Sequence, residues 1–217
     1  MASCSYTVPD LNTSGDVIYG PATCNQPFIH WAWNVFDFDK EDWDDGFGWD
    51  AACNITQPLA RTFNGIWCLA YSAPDWRDES YDHSILQWGC RFARTHIDEL
   101  DGRCGDGSAV AETRHVSGPG DEWTRLFLPF FYQRGVSERA GSLIHESRHA
   151  DGKPHDSGNN DSSWDYNGAW RWQVCWLSWF AGSAEPTRST PAMRAVARQR
   201  ANIILTQNFV TPPGFTI

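Results

Sequence analysis

The stretch that most constrains the fold of this chain is LIHESRHADGKPHD, residues 143–156. His145 and His149 are four residues apart, so in a helix of 3.6 residues per turn both imidazoles project from one face. Glu146 lies about 100° round the same helix, near that face but not on it. This spacing predicts a helix that offers two imidazoles to one zinc ion, with a carboxylate placed to act as a base on the attacking water.

A third histidine, His155, follows six residues after His149. If the helix continued, His155 would lie about 9 Å further along the axis and on a different face. Gly152 can take the left-handed conformation that ends helices, and Pro154 keeps Lys153 away from helical dihedrals. The sequence therefore predicts a helix that stops and a chain that turns back, which returns a third imidazole to the same metal.

The residues HESRHADGKPHD resemble the metzincin zinc-binding consensus H-E-x-x-H-x-x-G-x-x-H, with a following aspartate like that of the adamalysin branch. The resemblance covers twelve of 217 residues. It implies that the zinc ligands are His145, His149 and His155, that Glu146 is the general base, and that Gly152 makes the turn. Metzincins also carry a methionine in a tight turn beneath the metal, whereas Met193 stands here in STPAMRAVARQRAN, which looks like the start of a helix.

A second resemblance is to the aspzincins, similar to fungal deuterolysin, which combine H-E-x-x-H with a later aspartate ligand and a tyrosine near a glycine. NNDSSWDYNGAW, residues 159–170, offers Asp161, Asp165 and Tyr166, although the spacing D-x-x-Y-G is not reproduced. In this alternative, Asp161 or Asp165 replaces His155 as the third ligand. Tyr166 is also a candidate hydrogen-bond donor to the tetrahedral oxyanion of peptide hydrolysis.

The apolar spacing along the chain predicts a predominantly helical α+β fold in one domain, residues 1–217. The predicted helices cover 137–150, 168–182 and 190–208, and DHSILQWGCRFARTHIDEL, residues 82–100, is a further helix. Residues 123–131 are the best strand candidate, with Pro129 confining them to a sheet edge or a strand end. Residues 102–122 are predicted to form a glycine-rich loop. The resemblance implies a zincin-like domain with a small sheet and an active-site helix.

Seven cysteines are scattered along the chain, and none lies in a C-x-x-C pair. This spacing is typical of disulfides that tie long loops in an oxidising compartment, and it predicts a secreted or periplasmic protein. Cys175 lies in the apolar helical stretch RWQVCWLSWF, where a free buried thiol is common. We therefore expect up to three disulfides, with Cys175 as the free thiol.

The segment DFDKEDWDDGFGWD, residues 37–50, gathers six aspartates among aromatic residues. Calcium prefers such oxygen-rich loops, but the EF-hand pattern is not present. The sequence leaves two interpretations open, a solvated acidic turn and a calcium site. The tryptophans at 170, 172, 176 and 179 fall at roughly helical spacing, which is typical of core packing.

The formal net charge of −10 argues against a general affinity for nucleic acid or for anionic membranes. No apolar run approaches the roughly 18 to 20 residues that a membrane helix needs. Together with the histidine motif of residues 143–156, these observations favour a zinc metallopeptidase that acts as a monomer on a peptide or protein substrate. The alternative from another class is a tryptophan-rich binding module, for example for glycans, whose zinc is structural.

Overall fold

Helices dominate the chain, as the apolar spacing predicts. The computed structural model describes Cys4 and residues 24–72, 87–105, 107–114 and 122–217, and about 53% of these are helical. The helices are α1 (Gln26–Val35), α2 (Pro58–Tyr71), α3 (Trp88–His96), α4 (Leu128–Tyr132), α5 (Val136–Ala150), α6 (Ala169–Ser183) and α7 (Pro191–Gln207). Short 3-10 turns cover Lys40–Asp42 and Trp164–Tyr166. The fold is therefore mixed α+β and predominantly helical.

The three helices predicted in the C-terminal half are confirmed, with ends that differ from the prediction by one residue. Pro191 lies in the first turn of α7, and the Thr190 hydroxyl accepts a hydrogen bond from the Met193 amide at 3.1 Å. A proline at this position loses no helical hydrogen bond, and a threonine before it satisfies an amide that the helix leaves unpaired. Local sequence signals therefore determine where α7 begins.

Two predictions for the middle of the chain are partly wrong. The helix predicted over 82–100 ends at His96, and Leu100 begins strand β1 (Leu100–Gly102); residues 82–86 lie outside the described residues. The strand predicted over 123–131 ends at Leu126, and Pro129 stands in the first turn of α4 rather than at a strand end. Both errors arise because apolar residues that reach a common core do not reveal by themselves which backbone conformation brings them there.

The larger sheet has three strands in the order β1, β3, β2. Strand β3 (Trp123–Leu126) lies in the centre, parallel to β1 and antiparallel to β2 (Ala111–Arg114). Leu100 pairs with Thr124, and Ala111 pairs with Leu126. The predicted edge strand is thus the central one, and the outer strand β2 arises within the predicted loop 102–122. A second sheet pairs β4 (Asp161–Ser163) with β5 (Phe209–Thr211) in parallel.

Helix α5 lies at the centre of the molecule and contacts α2, α3, α6, α7 and strand β2. Its apolar residues Val136, Ala140, Leu143 and Ile144 are fully buried. Gly141 allows α6 to approach closely, because a Cβ at this position would lie 3.0 Å from the Leu177 side chain. The helix that carries the first two histidines is thereby held on several sides, which makes it a rigid support for a site.

Two disulfides join Cys4 to Cys104 and Cys24 to Cys53, which indicates an oxidising environment. The expectation that Cys175 is the one free thiol is wrong, because Cys68 and Cys90 are also free and are buried in the core. Cys175 is free but exposed, since it lies on the outer face of α6. Among the described residues, no helix is long and apolar enough to cross a membrane.

Candidate metal centre

The three histidines of the opening stretch meet in space. Nε2 of His145 lies 3.1 Å from Nε2 of His149, and one ring nitrogen from each of His145, His149 and His155 lies within 4.8 Å of the others. Nitrogens bound to one tetrahedral zinc ion at 2.0–2.1 Å would be about 3.3 Å apart. The three imidazoles, named the triad below, are therefore spaced to hold one metal ion, and imidazole donors suit zinc, copper, iron or nickel.

Hydrogen bonds on the outer side of the triad determine which nitrogens are free. Nδ1 of His149 lies 2.9 Å from the Lys153 carbonyl oxygen, and Nδ1 of His155 lies 2.7 Å from Oδ1 of Asp161. Both oxygens can only accept, so each Nδ1 carries the proton. In a neutral ring, Nε2 is then left with its lone pair directed inward, which is the tautomer a metal requires.

The surroundings also favour neutral rings. Burial lowers the pKa of His145 well below its usual range, and charge on His149 or His155 would act in the same direction. Burial, and next the proximity of His155, lower the pKa of His149 to about 4. Burial therefore favours the neutral form of His145 and His149, which is the form that binds a metal ion.

The chain returns to the triad through the turn that Gly152 was predicted to make. Gly152 has a φ of +74°, in the left-handed region that glycine favours. Its amide donates to the His149 carbonyl at 2.9 Å, and the Lys153 amide donates to the Arg148 carbonyl at 3.2 Å. These two bonds are those of a Schellman motif, which ends the helix and reverses the chain. The predicted mechanism for bringing His155 back is confirmed.

Asp161 lies behind His155 and not beside the other two imidazoles. Its side chain is fully buried, and Oδ1 accepts the hydrogen bond from His155. A Cβ on residue 168 would lie 2.4 Å from the Asp161 carboxylate, so glycine at this position makes room for that carboxylate. Asp165, the other aspartate considered as a ligand, is exposed. The third imidazole at the triad therefore belongs to His155, and Asp161 orients its ring.

Glu146 faces the same cleft as the triad and is 5% exposed. The Thr113 hydroxyl donates to Oε2 of Glu146 at 2.8 Å and lies 2.9 Å from the Thr124 hydroxyl. Burial raises the pKa of Glu146 to about 7, against the lowering effect of the Thr113 hydrogen bond. Strand β2 therefore holds the carboxylate in one orientation, a contact that no local sequence signal indicated.

Trp170 packs on two rings of the triad. Its ring centroid lies 4.1 Å from that of His145, and it is stacked on His155 at 5.4 Å and 13°. Its indole N–H donates to the Asn159 carbonyl at 2.9 Å. Met193 lies in the first turn of α7, where its carbonyl accepts from Ser137. The helical spacing of the tryptophans suggested only core packing, so this contact was missed.

Tyr166 is not among the residues that line the cleft of the triad. Its hydroxyl donates to the Pro154 carbonyl at 2.6 Å, and the Lys153 ammonium lies 4.1 Å from the centre of its ring. These contacts brace the turn that returns His155. The structure does not bring Tyr166 together with Glu146, and its assignment as an oxyanion donor stays a prediction.

The cleft has a volume of about 830 Å³. One wall is the triad face of α5, and the opposite wall is strand β2 with residues 108–110. The turn 152–159 closes one side, and α6 and α7 contribute Trp170, Gln173 and Arg200. The edge strand beside the triad is therefore β2, not the predicted 123–131.

One aspartate of residues 37–50 belongs to a second group of carboxylates. Asp42 gathers with Glu99 and Asp101, and their oxygens lie within 4.8 Å of one another. The Arg103 guanidinium donates to Asp42 at 2.7 Å, and Arg125 donates to Asp101 at 3.1 Å. Asp44 is buried, so the interpretation of a solvated acidic turn is wrong for this residue: its Oδ2 accepts from the amide of residue 104 at 2.8 Å.

No protein-family model matches this chain, and searches of the curated proteins and of the solved structures return no significant match.

Proposed function

We propose that this chain is a zinc-dependent endopeptidase of zincin-like fold. The observation that carries the proposal is the joint presence of three imidazoles, each free to bind through one nitrogen, and the Glu146 carboxylate in one open cleft. The combination matches the metzincin-like motif residue by residue at His145, Glu146, His149, Gly152 and His155.

Bound zinc supplies Lewis-acid chemistry, which polarises the scissile carbonyl and makes water acidic enough to lose a proton near neutral pH. The chain supplies the rest. Glu146 receives the proton of the attacking water and passes it to the leaving amine. Thr113 keeps one carboxylate oxygen oriented through its 2.8 Å hydrogen bond. Strand β2, one of the two outer strands of the described three-stranded sheet, offers backbone groups that pair with an extended peptide.

A structural zinc site explains the geometry less well. Structural sites usually take four protein ligands, and among the described residues the group around the triad has three. A carboxylate held beside an incomplete metal site suits hydrolysis, because the remaining position is open to water and substrate. Trp170 packs on His155 and His145, so its ring supports two of the imidazoles.

The two disulfides support a secreted or periplasmic location. The expected partners are peptides or proteins, without nucleic acid or membrane, and the expected state is a monomer.

Glu146→Gln tests this function directly. The variant should keep its zinc and its fold, because the side chain is nearly isosteric and binds no metal in this proposal. Hydrolysis of a mixed peptide library should fall by about 10²- to 10⁴-fold, the usual contribution of a general base. Zinc content and circular dichroism are measured on the same samples. Glu41→Gln, an exposed glutamate elsewhere, serves as the matched control and should keep full activity.

Equal hydrolysis by Glu146→Gln and wild type would show that Glu146 is not the base. A zinc-loaded wild type that cleaves no peptide of the library would favour the tryptophan-rich binding module with a structural metal.

A further inference from the structure

Two guanidinium groups line the cleft of the triad. Arg134 directly precedes the N-cap of α5, and Arg200 lies on α7. They are close enough that the charge of Arg134, after burial itself, lowers the pKa of Arg200. The charge of Arg200 also acts on His145. A chain with a net charge of −10 therefore places two cations together in its candidate active cleft.

Neither guanidinium forms an ion pair with a carboxylate of the described residues, although the charge of Glu138 is close enough to act on the pKa of Arg200 in the raising direction. Among the residues that the structure describes, Arg200 makes no hydrogen bond or ion pair, and its Nε is buried without an acceptor. The Arg134 side chain has only a 3.5 Å contact with the neighbouring Gln133 carbonyl. The nearby Glu138 carboxylate is used by the Gly135 amide at 2.9 Å.

Several other arginines of the described residues donate to acceptors of the fold, although Nε of Arg139, like that of Arg200, has none. Arg139 donates to two carbonyls and to Asn64, Arg148 donates to the Asn167 carbonyl, and Arg125 donates to Asp101. A buried guanidinium has five donors, and leaving them without acceptors is costly. Arg200 thus has donors to spare, on the wall of a cleft that is open to ligand.

The pair lies along the groove that leads away from the triad. His149, His145 and Ser142 follow one another along the same side of α5 and all line the cleft, and Arg134 lies beyond Ser142 at the start of that helix. Each turn of the helix advances about 5.4 Å, which is between one and two residues of an extended peptide. A peptide whose scissile carbonyl lies at the triad therefore extends toward the two arginines.

We propose that Arg134 and Arg200 form a carboxylate-binding subsite of the cleft, so that the preferred substrate is a peptide with a carboxylate close to the scissile bond. The carboxylate is either an acidic side chain or the C-terminal group of the substrate, which share the geometry that guanidinium groups recognise. The inference rests on the proposed peptidase function for the meaning of the scissile bond, but the binding itself can be measured without catalysis.

The experiment measures dissociation constants of peptides for the zinc-loaded and the metal-free Glu146→Gln protein. One glutamate is moved through each position of a neutral, amidated octapeptide, and the parent peptide carries glutamine throughout. A third peptide is neutral with a free C-terminal carboxylate. A peptide with its carboxylate in register should bind about 10- to 100-fold more tightly than the parent, as expected for charge-assisted hydrogen bonds. Tighter binding of one glutamate peptide would identify an acidic side chain as the source of the carboxylate. Tighter binding of the peptide with the free C-terminus would identify the terminal group.

The preference should disappear in Arg200→Gln and in Arg134→Gln. Arg198→Gln, an exposed arginine two residues away on α7, is the matched control and should retain it. Arg200→Gln should also leave the thermal stability unchanged or raised, because the side chain has no partner to lose; a structural arginine would lower it. Equal binding of all peptides, binding of none, or a preference that survives in the double variant Arg134→Gln, Arg200→Gln would overturn the subsite.

The two proposals fail separately. If the acidic peptide binds through the arginines but wild type cleaves none of the peptides, the subsite stands and the peptidase function falls. If wild type cleaves peptides with no preference for a nearby carboxylate and the binding constants are equal, the function stands and the subsite falls.

Discussion

The triad and the carboxylate group of Asp42, Glu99 and Asp101 both gather donor atoms that a cation could bind, but their surroundings differ. At the triad, the outer nitrogens of His149 and His155 are already bonded to acceptors, and the inner nitrogens face one another. At the carboxylates, the positive charge is supplied by the chain itself through Arg103 and Arg125. A cluster of potential ligands therefore indicates a metal site only when the hydrogen-bond and ion-pair partners around it leave the donor atoms free.

The same comparison applies to the arginines of the two regions. Arg103 and Arg125 bind carboxylates of their own chain, whereas Arg134 and Arg200 face the cleft without one. Charge that is neutralised internally contributes to the fold. Charge that is left unpaired in a cleft is available to a ligand. The three predictions below test this contrast, from the largest expected effect to the smallest.

Removal of triad ligands should have the largest effect. His145→Ala with His149→Ala should hold no zinc, and each single substitution should weaken zinc binding by about 10²- to 10³-fold, since the binding free energy of a zinc site is shared among few ligands. Zinc content after dialysis and competition with a chelator measure this. His30→Ala, an exposed histidine, is the control. Full zinc occupancy in the double variant would place the metal elsewhere.

Loss of the third ligand should weaken zinc binding more than loss of the carboxylate that supports it. His155→Ala should weaken zinc binding as severely as the other triad substitutions. Asp161→Asn should cost about 10- to 100-fold, the usual effect of removing a group that orients a metal-bound imidazole. Asp165→Asn, which alters an exposed side chain, should change nothing. If Asp161→Asn empties the site while His155→Ala does not, the aspzincin-like arrangement is the correct one.

A substitution in the cluster of Asp42, Glu99 and Asp101 should have a smaller effect, on the stability of the fold rather than on metal content. Burial, and next the charge of Asp101, raise the pKa of Glu99 to about 8. The folded chain therefore holds this proton more tightly than the unfolded chain, so the free energy of unfolding should fall as pH rises from about 4.5 to about 8. Glu99→Gln should remove that decline, and thermal unfolding across this pH range measures it.

Glu41→Gln, an exposed neighbour of Asp42, should keep the wild-type dependence on pH. A measurement with calcium can contradict the difference drawn between the two clusters. If millimolar calcium stabilises the wild type at pH 8 but not Glu99→Gln, the carboxylates bind a cation in spite of their arginines, and the calcium site considered from the sequence is real.

Much of the candidate site could be predicted because its signals are local. The spacing of His145 and His149 depends only on the helical repeat, and the turn at Gly152 depends only on backbone preferences and two nearby hydrogen bonds. The same is true of the start of α7 at Thr190 and Pro191. Such features involve residues within about six positions of one another, so the order of residues specifies them directly.

Contacts between distant segments could not be predicted in this way. Thr113 reaches Glu146 across 33 positions, and the cysteine pair Cys4–Cys104 spans 100. The edge position of β2, the packing of Trp170 on the imidazoles and the meeting of Arg134 with Arg200 likewise depend on how helices and strands pack together. Apolar patterning shows that a segment is buried but not against which partner, because many arrangements bury a similar area.

The amino-acid sequence by itself thus determined a helix with two imidazoles on one face and a turn that could return a third, since those follow from backbone geometry over a short span. The tertiary structure alone decided that Asp161 stands behind His155, that β2 holds Glu146, and that two unpaired guanidinium groups share the cleft. The physical reason is that hydrogen-bond and dihedral preferences act between neighbours in the chain, whereas burial, orientation and charge in a cleft depend on every segment that packs around it.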